Sequence, residues 1–492
     1  MGGFFNYLKS GTALVCLGLT FSCQKASEQS AEKIKPNVVY ILVDDLGFGD
    51  LATFNPNQKE LKTPNISKMA EEGMKFTQHY AGNSVCGPSR ASLLTGKHNG
   101  HATVRGNHPD QVQLLGDDEL TVAKVFKQAG YTTANIGKWG VGHPPKPNDP
   151  MRCGFDFFYG YINMWHAHNY FPEFLYRNGE KEYIAGNKLR LENGVNPWAN
   201  KPEGCGVAEE RKVYSHELFE NEALSFLETN KDNPFFLYLA LTVPHANNEK
   251  FPDGMEVKDW GEFADKDWPD AEKGFAQMIH YVDQTIGAVN QKLEDLGIAE
   301  NTLVIYASDN GPHGEGGHKV AFFDSNGPLR GQKRDLYEGG VRIPMIAKWP
   351  GQIQAGVENH HISGFWDFLP TACDIVGRPQ PEDVDGISLL PTLTGKSVQQ
   401  KHNYLYWEFY EQGGKQAIRQ GDWKAIKLNV RDTKKPVIFE LYNLANDLGE
   451  TQNVAEQHPQ KVAQFEQLFK EAHTPFEVTS LFSDEEDVEV SF

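Results

Sequence analysis

Cysteine is scarce in this sequence, with six among 492 residues, and no two cysteines have the Cys-x-x-Cys spacing of a metal site. The small number excludes a disulfide-dense scaffold, and the missing spacing argues against a thiolate-bound zinc. If the chain is exported, an oxidising compartment would still allow one disulfide among Cys153, Cys205 and Cys373. Cys153 and Cys205 are then the expected pair.

Positive charge is in deficit as well. There are 47 Lys and Arg against 66 Asp and Glu, for a formal net charge of -19. A surface of this sign repels polyanions, so nucleic acid is not an expected partner. An anionic ligand would have to be attracted by a local basic pocket.

Long hydrophobic runs and biased tracts are also missing. The apolar residues 11–21 are too few to span a bilayer as a finished helix, and no charge block indicates a disordered protein. Hydrophobic residues make up 39% of the chain and aromatic residues 12%, which is enough for a large core. This length and composition predict one large α/β domain with an appendage, or two domains.

The N-terminal residues are typical of an export signal. Lys9 precedes the apolar residues 11–21, as in a secretory signal peptide. Cys23, followed by a polar run, resembles a bacterial lipoprotein processing site, so we expect a lipid on this cysteine; a cleaved signal that releases a soluble periplasmic protein is the alternative. Residues 1–22 are thus the predicted signal peptide and residues 23–35 a polar tether. The expected location is the periplasm or the outer membrane of a Gram-negative bacterium.

Short, almost continuously apolar segments predict buried parallel strands. Each ends in polar residues, and in an open α/β sheet the ligand crevice lies beyond the carboxyl ends of the strands. We therefore expect these polar residues to meet. The predicted strands are residues 37–43, 132–136, 235–243 and 302–307. Between them, helical spacing of apolar residues predicts helices at residues 120–129, 215–228 and 275–296.

Two further regions complete the predicted organisation. The aromatic residues 163–211 predict a long loop over the strand ends. From about residue 402, short antiparallel strands are predicted at residues 404–407, 416–419, 423–428 and 437–442, followed by an amphipathic helix at residues 459–472. The predicted domains are therefore an N-terminal catalytic domain at residues 36–400 and a smaller C-terminal α+β subdomain at residues 401–492.

The run that begins at Cys86 carries the most specific signal. Pro88 and Gly96 predict a turn that leads into a short helix. A cysteine, a proline two residues later and an arginine, Arg90, two residues after that resemble the signature of the sulfatase family, the formylglycine-dependent type I arylsulfatase-like enzymes. The resemblance implies that a formylglycine-generating enzyme oxidises Cys86 to an aldehyde. The hydrated aldehyde attacks sulfur with one hydroxyl and later expels sulfate through the other; an ordinary buried cysteine is the alternative.

Oxygen-bearing side chains follow two of the predicted strands. Asp44 and Asp45 close the first strand, and Asp309 and Asn310 close the fourth. Carboxylate and amide oxygens suit Ca²⁺ or Mg²⁺ and not zinc, although such a pair can also serve as a turn or a helix cap. The resemblance implies that these four residues, with the modified Cys86, hold the metal. We expect Ca²⁺, with Mg²⁺ as the alternative.

The resemblance also assigns the charged residues around the nucleophile. Arg90, Lys138 and Lys333 match the positively charged residues that surround the nucleophile and the sulfate. His245 takes the place of the histidine that contacts the ester and protonates the leaving alcohol, which is needed because an alkoxide leaves badly. Taken singly, each cation could be a solvated surface charge and His245 a structural histidine. With a divalent ion the set leaves net positive charge for an anionic ester.

One departure from the family pattern concerns a proton acceptor. Many sulfatases have a histidine after Gly-Lys-Trp, whereas here Lys138-Trp139 is followed by Gly140. The resemblance implies that the missing histidine helps to deprotonate the sulfated diol, so another base is required. His143 and His101 are the nearby candidates.

Glycine-rich runs at residues 310–318 and 322–327 resemble a bacterial group of sulfatases that act on sulfated carbohydrates. Side chains that bond to sugar hydroxyls would decide which sulfate position is cut. For the aromatic and histidine cluster around residue 168, simple core packing is the alternative. The sugar-binding candidates are His166, His168, His318 and Arg330.

The resemblance covers nearly the whole mature chain. It implies an α/β fold of the alkaline-phosphatase type, with a large mixed sheet flanked by helices and a smaller C-terminal subdomain. The implied activity is hydrolysis of sulfate esters on a poly- or oligosaccharide, as in polysaccharide degradation. Because fold alone does not fix the reaction, hydrolysis of phosphonate monoesters or phosphodiesters is the alternative within this fold. A non-catalytic glycan-binding lipoprotein is the alternative of another class.

Overall fold

The computed structural model describes residues 1–3, 35–107, 115, 119–142 and 150–475. The chain divides into Met1–Ile34 and a second unit, Lys35–Phe492, to which everything below refers. Residues 4–22 of the predicted signal peptide, Cys23 and His143 lie outside the described residues. Within them, no helix combines the length and the apolar character that crossing a membrane requires.

The described residues form seventeen strands in three sheets. They are β1 (Asn37–Val43), β2 (Met74–Tyr80), β3 (Thr132–Lys138), β4 (Phe157–Tyr161), β5 (Phe174–Arg177), β6 (Glu180–Tyr183), β7 (Asn187–Leu189), β8 (Ala208–Arg211), β9 (Phe235–Ala240), β10 (Thr302–Ser308), β11 (Arg342–Lys348), β12 (Val357–Asn359), β13 (Ser363–Gly364), β14 (Leu405–Phe409), β15 (Lys415–Gln420), β16 (Trp423–Leu428) and β17 (Ile438–Asn443).

The central sheet has eleven strands in the order β12-β2-β11-β10-β1-β9-β3-β4-β5-β6, with β13 paired to β2. The four predicted strands are confirmed and lie side by side as β10, β1, β9 and β3, all parallel. Antiparallel pairing of β11, β2, β5 and β6 makes the sheet mixed, as expected. In the register, Val43 faces Ser308, so the residues that follow β1 and β10 leave the sheet at the same level.

Helices cover both faces of this sheet. They are α1 (Pro64–Glu71), α2 (Cys86–Thr95), α3 (Val122–Gln128), α4 (Ser215–Asn230), α5 (Asp270–Asp295), α6 (Glu338–Val341), α7 (Phe368–Val376), α8 (Leu390–Thr394) and α9 (Pro459–Ala472). Alternate residues of β1 point to opposite faces: Val39 and Ile41 join the core that holds α4 and α5, and Tyr40 and Leu42 join the core of α2, α3 and α7. Burial on both faces explains why the strand is apolar throughout.

The C-terminal part contains the antiparallel sheet β14-β15-β16-β17 and helix α9, as predicted. The first of these strands begins at Leu405, shortly after the predicted boundary at residue 400. Fold class and subdomain architecture are thus confirmed.

Two details correct the sequence analysis. Residues 163–211 are not only loop, because β5 and β6 extend the central sheet and β7 and β8 form a separate pair. The expected disulfide is absent, since Cys205 is a free thiol. Cys153 packs in the core beneath α3 and α7, whereas the Cys205 thiol lies beside the carboxylate of Glu249. The two cysteines therefore belong to different environments.

Candidate active site

The oxygen-bearing residues after β1 and β10 meet at the carboxyl edge of the sheet. Asp45 has a φ of +69°, which turns the chain directly after the strand. Its backbone N–H donates to Asp309 Oδ1 at 3.0 Å, and Asn310 Nδ2 donates to Asp45 Oδ1 at 2.7 Å. Asp44, Asp45 and Asp309 each place a carboxylate oxygen within 4.8 Å of the other two. All four side chains are buried.

This cluster fits a hard divalent cation. Among the described residues, Asp44 Oδ1 and Asn310 Oδ1 are buried and accept no hydrogen bond, although buried polar atoms are almost always paired. Three carboxylates and an amide oxygen form the donor set that Ca²⁺ or Mg²⁺ takes. Asp44, Asp45, Asp309 and Asn310 are therefore the residues that would hold the ion.

Two cations from neighbouring elements hold these carboxylates in place. Lys138, the last residue of β3, donates from Nζ to Asp44 Oδ2 at 2.6 Å. Arg90 of α2 donates from Nε and Nη2 to Asp309 Oδ2 at 3.1 and 2.9 Å. Burial would raise the pKa of Asp44, but Lys138 and Arg90 outweigh it and hold that pKa far below its usual range. Burial and the charge of Asp44 raise the pKa of Asp309 to about 7 despite Arg90.

Cys86 is the first residue of α2, a helix that ends before Gly96 as predicted. Its sulfur lies within 4.8 Å of an Asp44 oxygen and a His245 ring nitrogen, so the motif and the carboxylate cluster form one site. Burial raises the pKa of the Cys86 thiol.

Asn107 contacts Cys86 and was missed in the sequence. Its Nδ2 donates to Cys86 Sγ at 3.5 Å, and its Oδ1 accepts the Gly87 N–H at 2.9 Å. The second bond fixes which end of the amide faces the sulfur. A single asparagine outside the motif carries no sequence signal for this contact.

His245 and Lys333 contact each other and the Asp45 carboxylate. Lys333 Nζ donates to Asp45 Oδ2 at 2.7 Å and to His245 Nε2 at 3.0 Å. His245 Nδ1 donates to the Ala246 carbonyl at 2.7 Å. Burial and the Lys333 charge lower the pKa of His245 to about 3. The imidazole is therefore neutral, with the lone pair of Nε2 facing Lys333.

Glu315 and Arg334 form a second addition to the predicted site. Glu315 accepts a hydrogen bond from Lys333 Nζ at 3.0 Å and pairs with the Arg334 guanidinium. Glu315 and Arg334 carry opposite charges, so they do not change the net charge of the site. Three carboxylates still face three cations, Arg90, Lys138 and Lys333. A divalent ion would thus leave net positive charge beside the nucleophile.

The predicted sugar contacts divide between the site and the core. His168 lies in the site, with its ring stacked on His245 at 4.9 Å between centroids. His166 is buried against Tyr161, and neither of its nitrogens has a hydrogen-bond partner among the described residues. His318 is buried and stacked on Phe275 at 3.8 Å. The structure therefore assigns His166 and His318 to the core and not to a sugar-binding surface.

Arg330 remains exposed, but its contacts lead to the C-terminal subdomain. Its Nη1 donates to Tyr442 Oη at 3.1 Å and to the Glu450 carbonyl at 2.7 Å, and its guanidinium lies over the Tyr337 ring at 3.8 Å. These bonds connect Arg330 to the C-terminal subdomain.

The candidate base His101 pairs elsewhere. Its Nδ1 lies 2.8 Å from Asp385 Oδ1, and its ring stacks on His98. Gly140, at the place of the missing histidine, has a φ of +76°, and a Cβ there would lie 3.2 Å from Arg90 Cδ. A histidine at this position would therefore be strained.

Comparison with known families identifies the chain. The sulfatase family model matches residues 36–378, more than half of the sequence. The chain belongs to the sulfatase family. As a sulfatase it is a sulfuric ester hydrolase. A second model, the C-terminal part of N-sulphoglucosamine sulphohydrolase, matches residues 331–476.

Curated relatives of this sulfatase cover most of its length. N-acetylgalactosamine-6-sulfatase of Rattus norvegicus is 31% identical over 414 residues, which span 79% of this chain and 71% of the relative. N-acetylgalactosamine-6-O-sulfatase of Bacteroides thetaiotaomicron is 28% identical, with 95% of this chain and 98% of the relative covered. Both relatives are carbohydrate sulfatases by name.

Solved structures agree on the fold. The crystal structure of Ps i-CgsB has a TM-score of 0.73 and 26% identity, covering 89% of this sulfatase and 93% of that chain. The same protein has been solved in complex with a neocarrahexaose, with a TM-score of 0.72. A phosphonate monoester hydrolase of Agrobacterium radiobacter shares the fold alone, with a TM-score of 0.59 and 20% identity, covering 89% of this chain and 95% of that one.

Proposed function

We propose that this sulfatase removes sulfate from a sulfated poly- or oligosaccharide. The observation that carries the proposal is the convergence of Cys86, a buried oxygen cluster and three cations beside His245. The substrate class is supported by the relatives, which include two enzymes named for N-acetylgalactosamine sulfate esters and a structure that holds a neocarrahexaose.

Cys86 is proposed as the nucleophile in its oxidised form, formylglycine, made by a formylglycine-generating enzyme. The position of Cys86 at the N-terminus of α2, beside Asp44 and His245, supports this role. When hydrated, this group supplies two hydroxyls on one carbon, one for attack at sulfur and one for release of sulfate. Asn107 Nδ2 is placed to donate a hydrogen bond to the atom that replaces the sulfur of Cys86.

Ca²⁺, or Mg²⁺ in its place, is proposed at Asp44, Asp45, Asp309 and Asn310. The two buried oxygens without a hydrogen-bond donor support a cation there. A divalent ion would lower the pKa of a nearby hydroxyl and offset the charge that develops on the sulfate oxygens.

The remaining residues of the chain bind the ester and handle its protons. Arg90, Lys138 and Lys333 supply positive charge for the sulfate oxygens in a buried site, where such charges act strongly. His245 and Lys333 share a hydrogen bond and lie where a proton is needed on the leaving alcohol. His168 and Arg330 remain proposed sugar contacts. His168 lies beside His245, and Arg330 is exposed at the surface.

A side-by-side assay tests the function. The purified wild-type enzyme, with its cofactor state checked by mass spectrometry, is offered defined sulfated mono- and oligosaccharides and the phosphate esters of the same alcohols. We expect the highest kcat/KM on a sulfated sugar. A higher kcat/KM on the phosphate or phosphonate ester would refute sulfate as the substrate, and binding without turnover by the formylglycine form would favour a glycan-binding protein.

Export and lipid attachment at Cys23 are proposed from the N-terminal sequence alone. The signal is supported by Lys9 and the apolar residues 11–21. Mass spectrometry of the N-terminus of the mature protein from a Gram-negative host tests both points. An acylated Cys23 is expected, and an unmodified N-terminus elsewhere would contradict it.

A further inference from the structure

The site lacks a histidine after Trp139, and Gly140 cannot supply a proton acceptor. Among the described residues, His168 contacts the His245 ring and keeps one ring nitrogen without a hydrogen bond. Its ring stacks on His245 with an interplanar angle of 15°. His245 in turn has a nitrogen within 4.8 Å of Cys86 Sγ. His168 thus contacts the ring whose nitrogen lies within 4.8 Å of the Cys86 sulfur.

A buried carboxylate orients the His168 ring. Its Nδ1 lies 3.0 Å from Glu249 Oε2, and Lys201 Nζ donates to Glu249 Oε1 at 2.8 Å. Burial would raise the pKa of Glu249, but the bonds to His168 and Lys201 lower it to about 2. Because a carboxylate can only accept, Nδ1 of His168 is the donor. In the neutral ring Nε2 then carries the lone pair.

The free nitrogen is also reachable. The His168 side chain is 10% exposed. Glu249 is only 1% exposed, so the carboxylate that orients the ring is shielded from water. A histidine oriented by a buried carboxylate is the usual arrangement of a general base.

Two other described histidines of this cluster have both nitrogens hydrogen-bonded. His245 uses both, as described above. His313 Nε2 donates to the Pro244 carbonyl at 3.0 Å, and its Nδ1 accepts the Glu315 N–H at 3.0 Å. His101 is oriented by Asp385 through Nδ1, but its ring stacks on His98 and not on His245. Among the described residues, His168 is therefore the candidate that combines a carboxylate partner with contact to His245.

We propose that His168, oriented by Glu249, is the proton acceptor that replaces the missing histidine in the sulfate-release step. The inference rests on the proposed function. In that step His168 Nε2 would take the proton of the hydroxyl that remains on the hydrated formylglycine at position 86. The electron pair of that O–H bond forms a C=O bond, the C–O bond to the sulfate breaks, and sulfate leaves with the electrons of that bond. The aldehyde is regenerated, and the proton on His168 passes to water.

The test compares His168→Gln with wild type and with a matched control. His280→Gln removes a histidine that also faces a glutamate, Glu262, at 3.5 Å but lies on α5. In His168→Gln we expect kcat to fall roughly 100-fold or more while the first turnover still releases one equivalent of alcohol. The quenched Cys86 peptide should then carry the added mass of one SO₃ group. His280→Gln should match wild type in rate and peptide mass.

Several results would overturn the assignment. A normal kcat with a raised KM in His168→Gln would make His168 a sugar contact only. An SO₃ adduct in His101→Gln and not in His168→Gln would assign the base to His101. Failure of the proposed function is a different result, because wild type itself would then show no turnover of any sulfate ester.

A second measurement does not depend on activity. In Cys86→Ala enzyme with ¹⁵N-labelled histidine, NMR reads the tautomer of His168. We expect the Nδ1–H tautomer, and a weaker preference for it when Glu249 is replaced by Ala in the same background. An Nε2–H tautomer, or a preference that Glu249→Ala leaves unchanged, would contradict the proposal.

Discussion

Lys333 Nζ lies 3.0 Å from His245 Nε2 and donates a hydrogen bond to it. Since His245 Nδ1 already donates to the Ala246 carbonyl, the imidazole is neutral and the mobile proton of the pair resides on Lys333. In the proposed function, the two side chains act as one proton-donating unit towards a leaving alcohol. The predictions that follow begin with this pair.

Replacement of His245 by Gln should affect poor leaving groups most. A sugar alkoxide needs a proton as it leaves, whereas a nitrophenolate does not, so kcat/KM should fall roughly 100-fold for a sugar sulfate and much less for nitrophenyl sulfate. Steady-state kinetics on both esters gives the comparison. Equal losses on the two substrates would exclude a proton-donating role for His245.

Cys86→Ala should remove turnover and leave the fold intact. The change deletes the nucleophile, for which losses of about 10³-fold or more are usual, while a small buried side chain at the start of α2 is retained. Activity and the thermal unfolding midpoint of wild type and variant provide the two readouts. Residual turnover close to wild type would show that Cys86 is not the nucleophile.

Removal of divalent ions should lower both activity and thermal stability. A ligand at 100 times its Kd stabilises the native state by about 2.7 kcal/mol, because it binds the folded oxygen cluster and not the unfolded chain. Chelation followed by addition of Ca²⁺ or Mg²⁺, with the unfolding midpoint recorded each time, tests this and ranks the two ions. Asp309→Asn should reduce the stabilisation by the ion. An unfolding midpoint that does not change on chelation would contradict the metal site.

Acid should destabilise the protein through its buried histidines. Burial lowers the pKa of His166 to about 3, below the value of about 6.5 in the unfolded chain. Between these values the unfolded state binds more protons, so stability is complete above pH 6.5 or so and is lost as the pH falls. Denaturant unfolding at several pH values gives the free energy of unfolding as a function of pH. This free energy should fall less steeply with acid in His166→Phe, whereas His280→Gln should keep the wild-type slope. An unchanged slope in His166→Phe would contradict the assignment of a neutral core histidine.

A close approach of β3 and β4 depends on glycine. Gly160 has a φ of +155°, and a Cβ there would lie 1.8 Å from the carbonyl oxygen of Gly137, its partner in the register. Gly160→Ala should cost about 1–2 kcal/mol for the positive φ and about 1–3 kcal/mol more for overpacking, because the strands must separate. Gly297→Ala is the control, with a φ of +69° and open space around it, at about 1–2 kcal/mol. Comparable unfolding midpoints for the two variants would refute the packing argument.

Much of the site was predictable from the sequence because it lies at strand ends. Continuous apolar runs identify β1 and β10, and the parallel register then brings Asp44 and Asp309 to one edge. Lys138 and His245 follow from the same rule. The motif that begins at Cys86 added the proposed nucleophile, since its proline and glycine fix a short helix locally.

Residues from loops could not be predicted in this way. Asn107, Glu315 and Arg334 reach the site through contacts between segments far apart in the chain, for which periodicity and spacing carry no information. Their partners become neighbours only when the sheet has formed.

His166 and His168 show most directly where the sequence stops being sufficient. They flank a single turn, His166–His168, and both were expected to contact sugar. Packing against Tyr161 holds one ring in the core, whereas the Glu249 carboxylate and the His245 ring hold the other beside the nucleophile. The sequence determined that two histidines occur in this turn. Only the tertiary structure decided which of them reaches the site, because the direction of a side chain in so short a turn is set by what packs around it.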